Sequence, residues 1–138
     1  MNRKLCITLG LPYPKADPGE KNLMYARGML DNAGGTISEM NAIALYTYNG
    51  LISCDAELKC VFEEIAETEM RHLTLFLELA WELGEEPRLW SQSRMGKKYW
   101  SPGYIIYAKD TLKLLGNAMS NERASIRKYQ EQLKTVDN

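Results

Sequence analysis

Apolar residues recur at steps of three and four positions along most of this chain, a spacing that predicts α-helices. The longest such pattern runs from Ala56 to about Leu83, with Asp55 as a helix-capping residue before it and Gly84 after it. A last helix is predicted from Tyr104 to about Lys134, after a loop with the sequence RLWSQSRMGKKYWSPG. No stretch shows the Val- and Ile-rich alternation that is typical of β-strands. The pattern therefore predicts an all-α fold.

The first part of the chain is predicted to hold an extended arm and two further helices. Residues 1–22 contain the segment LPYPKADPGEKN, whose three prolines favour an extended arm. A short helix is expected from Leu23 to Leu30 or Asp31, because a pair of glycines follows. The next helix, with Thr36 or Ser38 near its start, should reach about Gly50.

Two polar side chains interrupt the apolar stripe of the Ala56–Leu83 helix. Glu69 and His72, which is the only histidine in the chain, stand where the spacing calls for apolar residues. Because residues three positions apart project from the same side of a helix, both side chains should point toward whatever the stripe packs against. The full stripe is Leu58, Phe62, Ile65, Glu69, His72, Phe76, Leu79 and Leu83.

Each of the other two long helices also places one carboxylate in an apolar line. Glu39 shares a line with Ala42, Ile43 and Tyr46. Glu122 lies in a second line, which consists of Leu115, Met119, Glu122, Ile126, Tyr129 and Leu133. Three helices are thus predicted to direct acidic groups into one core.

Buried carboxylates without a partner cost several kcal/mol or take up a proton, so a cluster of them requires compensation. A divalent cation supplies it, with Glu39, Glu69, His72 and Glu122 as candidate ligands. Carboxylate oxygens with one imidazole suit iron or manganese, and zinc less specifically. Tyr46 and Tyr129 could hydrogen-bond the ligating acids. The alternative is that the glutamates lie at the edge of an interface with their carboxylates in water, and that both tyrosines are core aromatics.

The composition narrows the function classes. The chain has 138 residues, enough for one domain, which we place at residues 23–138 after the 1–22 arm. A formal net charge of -1 does not favour binding to nucleic acid or to an anionic membrane surface. The sequence shows neither a signal peptide nor a transmembrane segment.

The three cysteines form no CxxC pair, which predicts a cytoplasmic protein. Cys54 and Cys60 are expected to be buried small hydrophobic residues rather than metal ligands. Zinc hydrolysis is disfavoured because only one histidine is present.

The motifs resemble those of the ferritin-like di-metal carboxylate proteins, specifically the rubrerythrin, bacterioferritin and manganese-catalase-like branch. The segment SEMNAIALYTY is similar to the first-helix signature, ETEMRHLTLF to the second-helix Glu-x-x-His motif, and SNERASIRKY to the third-helix pattern. The resemblance implies a ferritin-like helical bundle with Glu39 and Glu122 as terminal ligands, Glu69 as a bridging ligand and His72 as the imidazole ligand. It ranks di-iron first, manganese second and zinc third as the cofactor.

Two departures from this family pattern matter. The chain has no rubredoxin-type CxxC pairs, and it stops at TVDN, where the family continues into a fourth helix with a second Glu-x-x-His. One bridging Glu and one His are therefore missing, and an apolar seam should be uncovered. We expect a homo-oligomer, most simply a two-fold dimer. In one arrangement, two helical hairpins that each carry Glu39, Glu69 and His72 meet at the dyad and displace Glu122. In the other, Glu122 stays beside Glu69 within one chain in a depleted site.

Two functions are compatible with this sequence. The first is a redox metalloprotein that handles O2 or peroxide as a peroxidase, ferroxidase or catalase and takes electrons from a separate donor. The second is a non-catalytic helical structural or interaction module, similar to the spore-coat members of the branch, with a vestigial and metal-depleted site.

Overall fold

The structure, a computed structural model, describes residues 13–136 and consists mainly of four helices. Their bounds are α1 at Leu23–Gly34, α2 at Glu39–Ile52, α3 at Ala56–Leu83 and α4 at Thr111–Leu133. Between α3 and α4 lie strands β1 at Trp90–Ser93 and β2 at Gly96–Tyr99, followed by a short 3-10 helix at Pro102–Tyr104. The predicted all-α class and helical bundle are confirmed, although the connection between α3 and α4 contains more structure than expected.

Polar side chains fix the starts of the helices as the sequence predicted. Ser38 accepts a hydrogen bond from the backbone N–H of Asn41 and so caps α2, and Asp55 caps α3 in the same way. Gly84 ends α3 with a φ of 112°, a left-handed conformation that favours glycine. Helix α3 has the predicted bounds, whereas α1 extends to Gly34, three residues beyond the predicted end.

The expected loop between α3 and α4 contains a β-hairpin, so the prediction of no strands is wrong there. Its strands pair antiparallel from Trp90–Tyr99 to Ser93–Gly96. Gly96 follows the tight turn with a φ of 104°, which glycine adopts at no steric cost. The hairpin packs through Trp90, which lies in a buried cluster with Leu30 and Ala80.

Helix α4 begins at Thr111, seven residues after the predicted start at Tyr104. Asp110 caps it by accepting a hydrogen bond from the backbone N–H of Lys113. The preceding residues run in an irregular segment, in which the ring of Tyr107 meets the ring of Tyr48 on α2 edge-on at 4.6 Å. This aromatic contact holds the segment against α2 instead of letting it continue as helix.

The core lies mainly among α1, α2 and α3. One buried cluster joins Ala33 of α1, Ile43 of α2 and Leu73 of α3. Another joins Tyr46 and Phe62 with Ala118 of α4, and the rings of Tyr46 and Phe62 are stacked at 5.9 Å. These contacts bury the faces of α2 and α3 on which the candidate ligands lie.

Helix α4 buries few apolar residues, namely Leu114 and Ala118. The predicted apolar line of α4 does not face the core at four of its positions, where the side chains are exposed: Leu115 at 37%, Met119 at 55%, Ile126 at 53% and Leu133 at 73%. We call these four residues the outer face of α4. No helix among the described residues covers these four side chains, as expected for a bundle whose fourth helix is missing and whose apolar seam is uncovered.

Other predictions have mixed outcomes. Residues 13–22 contain no helix or strand, in keeping with an arm, while residues 1–12 lie outside the described part of the chain. Cys54 is exposed with a free thiol and Cys60 is half-buried and disulfide-bonded, so the expectation of two buried small hydrophobic residues is wrong.

The cytoplasmic location stays a prediction. Within residues 13–136, none of the helices has the length and apolar character needed to cross a membrane.

Candidate metal centre

Three of the four predicted ligands form one group inside the bundle. Glu39 is the first residue of α2, and Glu69 and His72 lie one turn apart on α3. One ligand atom from each of the three side chains lies within 4.8 Å of the others. His72 Nδ1 is 3.0 Å from Glu69 Oε2 and 3.9 Å from Glu39 Oε2. Two carboxylates and an imidazole therefore converge at one point.

Burial raises the free-energy cost of placing negative charge on both carboxylates of this group. Glu39 is 4% exposed and Glu69 is 8% exposed. Burial raises the pKa of Glu39 to about 9, and the hydrogen bond and negative charge of Glu69 act in the same direction. At neutral pH, without a cation, the Glu39 carboxyl therefore holds a proton. The two carboxylates do not both carry charge unless something positive lies between them.

Glu69 and His72 behave as an ion pair beside the protonated Glu39. Burial acts to raise the pKa of Glu69, but hydrogen bonds from His72 and Glu39 outweigh it, so that this pKa is lowered. The hydrogen bond to Glu69 raises the pKa of His72 against the opposing effect of burial. In the metal-free group, the proton on Glu39 and the hydrogen bond between His72 and Glu69 relieve the repulsion between the two carboxylates. A divalent cation would supply positive charge at the same place.

Both predicted tyrosines hydrogen-bond carboxylates of the site. The Tyr129 hydroxyl donates to Glu39 Oε1 at 2.5 Å, and the Tyr46 hydroxyl donates to Glu122 Oε1 at 2.7 Å. Burial raises the pKa of both phenols, and the neighbouring carboxylates add to this effect, so both hydroxyls keep their protons as donors. The tyrosines thus orient one carboxylate each.

Glu122, the fourth predicted ligand, lies beside the group rather than within it. Its carboxylate lines the same cavity as Glu39, Glu69 and His72 and is held by Tyr46. Within one chain, α4 thus keeps Glu122 near the ligand group, and the displacement of Glu122 by a second helical hairpin at a dyad stays a prediction.

A cavity of about 160 Å³ adjoins the carboxylates, far more than the space one water molecule needs. Besides the predicted residues, Ser38, Asn121 and Ser125 line it, as do residues 104–106 of the segment before α4. These lining residues were not predicted from the sequence. The helical phase of Ser125, one turn after Glu122, offered a signal, whereas residues 104–106 offered none.

The residues present fit a divalent cation. Carboxylate oxygens and an imidazole nitrogen are suitable donors for iron or manganese. Glu39 needs either a proton or a cation in order to remain buried, and the adjoining cavity leaves room for further ligands. Zinc is less specifically suited to them, because structural zinc sites are rich in cysteine and histidine and this group offers one imidazole.

His72 marks an open side of the site. Its side chain is 39% exposed, whereas the side chains of Glu39 and Glu69 are 5% and 10% exposed. From the arm, the ring of Tyr13 approaches the imidazole with a centroid distance of 6.0 Å, and the Arg71 guanidinium lies over the Tyr13 ring. The imidazole is thus only partly covered by the described residues.

Comparisons with known proteins agree with this geometry. A family model described as Rubrerythrin matches residues 33–138. Among solved structures, wild-type KatB, a manganese catalase from Anabaena, is similar with a TM-score of 0.83 and 20% identity over 96% of this chain and 68% of that chain. A second structure of KatB, a manganese catalase from Anabaena PCC7120, gives 0.81 and 19% over the same shares. A search of curated proteins finds no match.

Proposed function

This chain belongs to the rubrerythrin family and has a ferritin-like fold, and from that premise we propose that it binds iron or manganese through Glu39, Glu69 and His72 in order to handle O2 or peroxide. Glu122, which lines the same cavity, is the fourth protein ligand. The sequence includes no CxxC pair, and in this proposal the electrons come from a separate donor.

One observation carries this proposal: two carboxylates and an imidazole converge in a buried site where Glu39 needs a proton or a cation. In a core without a ligand role, apolar residues would be expected at these positions, since burying charge costs free energy. Perturbed ionisable groups that meet beside a cavity are typical of functional sites.

The residues of the chain have distinct tasks in this function. Glu39 and Glu69 supply negative charge and His72 supplies a neutral nitrogen donor once its proton is lost. Tyr129 and Tyr46 fix the orientation of Glu39 and Glu122, so that each keeps one oxygen toward the cavity. A bound iron or manganese would supply redox capacity and open coordination positions for a small oxidant.

We further propose that a second copy of this chain completes the site as a two-fold dimer. One chain offers three glutamates and one histidine, whereas the di-metal pattern of ferritin-like proteins takes four carboxylates and two histidines. The half-open side of His72 on α3 and the exposed outer face of α4 are two surfaces that a second chain could cover. An isologous contact covers an apolar surface and adds a second ligand set in one step.

Metal analysis of protein purified without chelators tests the proposal. We expect close to one equivalent of iron or manganese per chain, and consumption of hydrogen peroxide by the loaded protein in the presence of a reductant. Less than about a tenth of an equivalent after loading with either metal would contradict the proposal. Such a result would favour the non-catalytic structural module instead.

Metal affinity should rise with pH. Because the pKa of Glu39 is raised to about 9 and that of His72 is also raised, protons compete with the cation throughout the neutral range. Displacing the Glu39 proton alone predicts an affinity for Mn²⁺ that increases about 100-fold from pH 6 to pH 8. Titration of the metal-free protein with Mn²⁺ at pH 6, 7 and 8 measures this. An affinity that is constant over this range would show that no proton is displaced.

A further inference from the structure

Lys128 makes an unusual set of contacts for a lysine on an outer helix. Its ammonium lies 2.8 Å from Asp31 Oδ2, and it donates to the backbone carbonyls of Asp31 at 2.9 Å and of Ile37 at 2.6 Å. The side chain is only 16% exposed. The three N–H donors of an ammonium match these three oxygens, so Lys128 is held in one place.

Lys128 therefore joins the start of α2 to α4 immediately beside the metal centre. Ile37 precedes Ser38, the capping residue of α2, and Glu39 follows as its first residue. Tyr129, the neighbour of Lys128 on α4, donates to the Glu39 carboxylate. Two consecutive residues of α4 thus hold the backbone before Glu39 and the side chain of Glu39 itself.

Few other contacts fix α4 at this level. Its buried apolar residues, Leu114 and Ala118, lie ten residues or more before Lys128. One turn beyond Lys128, Gln132 exchanges two hydrogen bonds with Asn32 at 2.6 and 2.7 Å. The Tyr129 ring also packs against Phe76 of α3 with a centroid distance of 5.6 Å. This apolar contact fixes the ring against α3, whereas the charged contacts of Lys128 join the same part of α4 to the backbone before Glu39.

We propose that Lys128 is a positioning residue of the metal centre, which acts through Tyr129 and the start of α2 to keep the Glu39 carboxylate facing Glu69 and His72. This inference rests on the proposed metal-binding function, because the positioning of Glu39 serves metal binding. The contacts of Lys128 themselves do not depend on that function. A charged donor is suited to the task, because hydrogen bonds from an ammonium are stronger than those between neutral groups.

The first experiment uses metal-free protein in which the eight tyrosines are replaced by 3-fluorotyrosine and observed by 19F NMR. The Tyr129→Phe variant assigns the resonance of Tyr129, and Glu39→Gln shows how it moves when its acceptor changes. We expect Lys128→Met to move this resonance in the same direction as Glu39→Gln and Lys128→Arg to leave it near its original position. Lys134→Met is the matched control, because Lys134 pairs with the exposed Glu131 on the same helix.

The second experiment measures Mn²⁺ affinity. We expect Lys128→Met to weaken binding about tenfold, as is typical when a group that orients a ligand is removed, and Lys134→Met to have no effect. Combining Lys128→Met with Tyr129→Phe should weaken binding no further than the stronger single change, because both act on Glu39. A purely structural role would lower the melting temperature without this coupling.

Each outcome decides a separate point. An unmoved Tyr129 resonance in a folded Lys128→Met protein overturns the positioning role, as do additive effects on Mn²⁺ affinity. If Lys128→Met does not fold, the Lys128→Arg protein decides: a Tyr129 resonance displaced as far as in Glu39→Gln overturns the proposal. A parent chain that binds no Mn²⁺ but shows the expected 19F shifts refutes the proposed function and leaves the positioning of Glu39 by Lys128 supported.

Discussion

Replacing Glu69 by leucine should remove metal binding without unfolding the metal-free protein. Glu69 is buried and pairs with His72 and Glu39, so its carboxylate is central to the ligand group. We expect the affinity for Mn²⁺ to fall at least about 100-fold, more than the 10- to 100-fold that is typical for loss of a group behind the ligands. Leucine removes the desolvation cost of the buried carboxylate but also its pairing with His72 and Glu39, and because these two effects oppose each other we expect only a small change in the stability of the metal-free protein.

The free energy of unfolding separates the loss of metal binding from the change in stability of the metal-free protein. With Mn²⁺ at about 100 times its dissociation constant, the parent chain should gain about 2.7 kcal/mol, and the Glu69→Leu protein should gain nothing. Urea denaturation with and without Mn²⁺ measures both quantities. Glu67→Leu is the control, because Glu67 lies on the same helix with an exposed side chain. If Glu69→Leu destabilises the metal-free protein by several kcal/mol and leaves Mn²⁺ binding intact, Glu69 has a structural role and is not a ligand.

Helical periodicity was sufficient to predict which residues meet at the centre. Glu69 and His72 are one turn apart on a long helix whose ends, Asp55 and Gly84, carry unambiguous capping residues. Glu39 directly follows the capping residue of α2. When three helices pack on a common core, residues that interrupt their apolar faces must face each other. The spacing therefore predicted the convergence of Glu39, Glu69 and His72.

The same periodicity failed wherever tertiary contacts decide the structure. The hairpin strands have four residues each and are mostly polar, and only Trp90 among them reaches the core. The segment before α4 continues the helical spacing of apolar residues, but the contact of Tyr107 with Tyr48 holds it in another conformation. Neither contact can be predicted from the residues that are adjacent in the sequence.

The role of Lys128 could not be predicted for a related reason. A lysine on an amphipathic helix is normally solvated, and nothing in its neighbourhood along the chain distinguishes it. Its acceptors are the backbone carbonyls of Asp31 and Ile37, which lie 97 and 91 positions away. Backbone acceptors of this kind carry no signature in the amino-acid sequence, since every residue offers a carbonyl.

Introducing charge on the outer face of α4 should separate the proposed dimer without unfolding the chain. Met119 and Leu133 are more than half exposed in the single chain and do not line the cavity, so glutamate at both positions disturbs no internal packing. In a two-fold interface the same two glutamates lose water and repel their copies, at a cost of about 2 kcal/mol or more for each polar group buried without a partner. We therefore expect the parent chain to be dimeric and the Met119→Glu/Leu133→Glu protein to be monomeric at micromolar concentration. Light scattering measures the mass, and circular dichroism checks that the helices remain.

The metal content of the monomeric variant tests whether separation of the dimer also disrupts the metal centre. If a second copy completes the site, the Met119→Glu/Leu133→Glu protein should retain less than half of the metal of the parent chain, although neither residue is a ligand or lines the cavity. Ser120→Glu is the control, because Ser120 is exposed on α4 outside the outer face and should change neither mass nor metal content. A parent chain that is monomeric at every concentration and still fully loaded with metal would show that Glu39, Glu69, His72 and Glu122 of one chain suffice. In that case the open side of His72 would serve as access to the site and not as an interface.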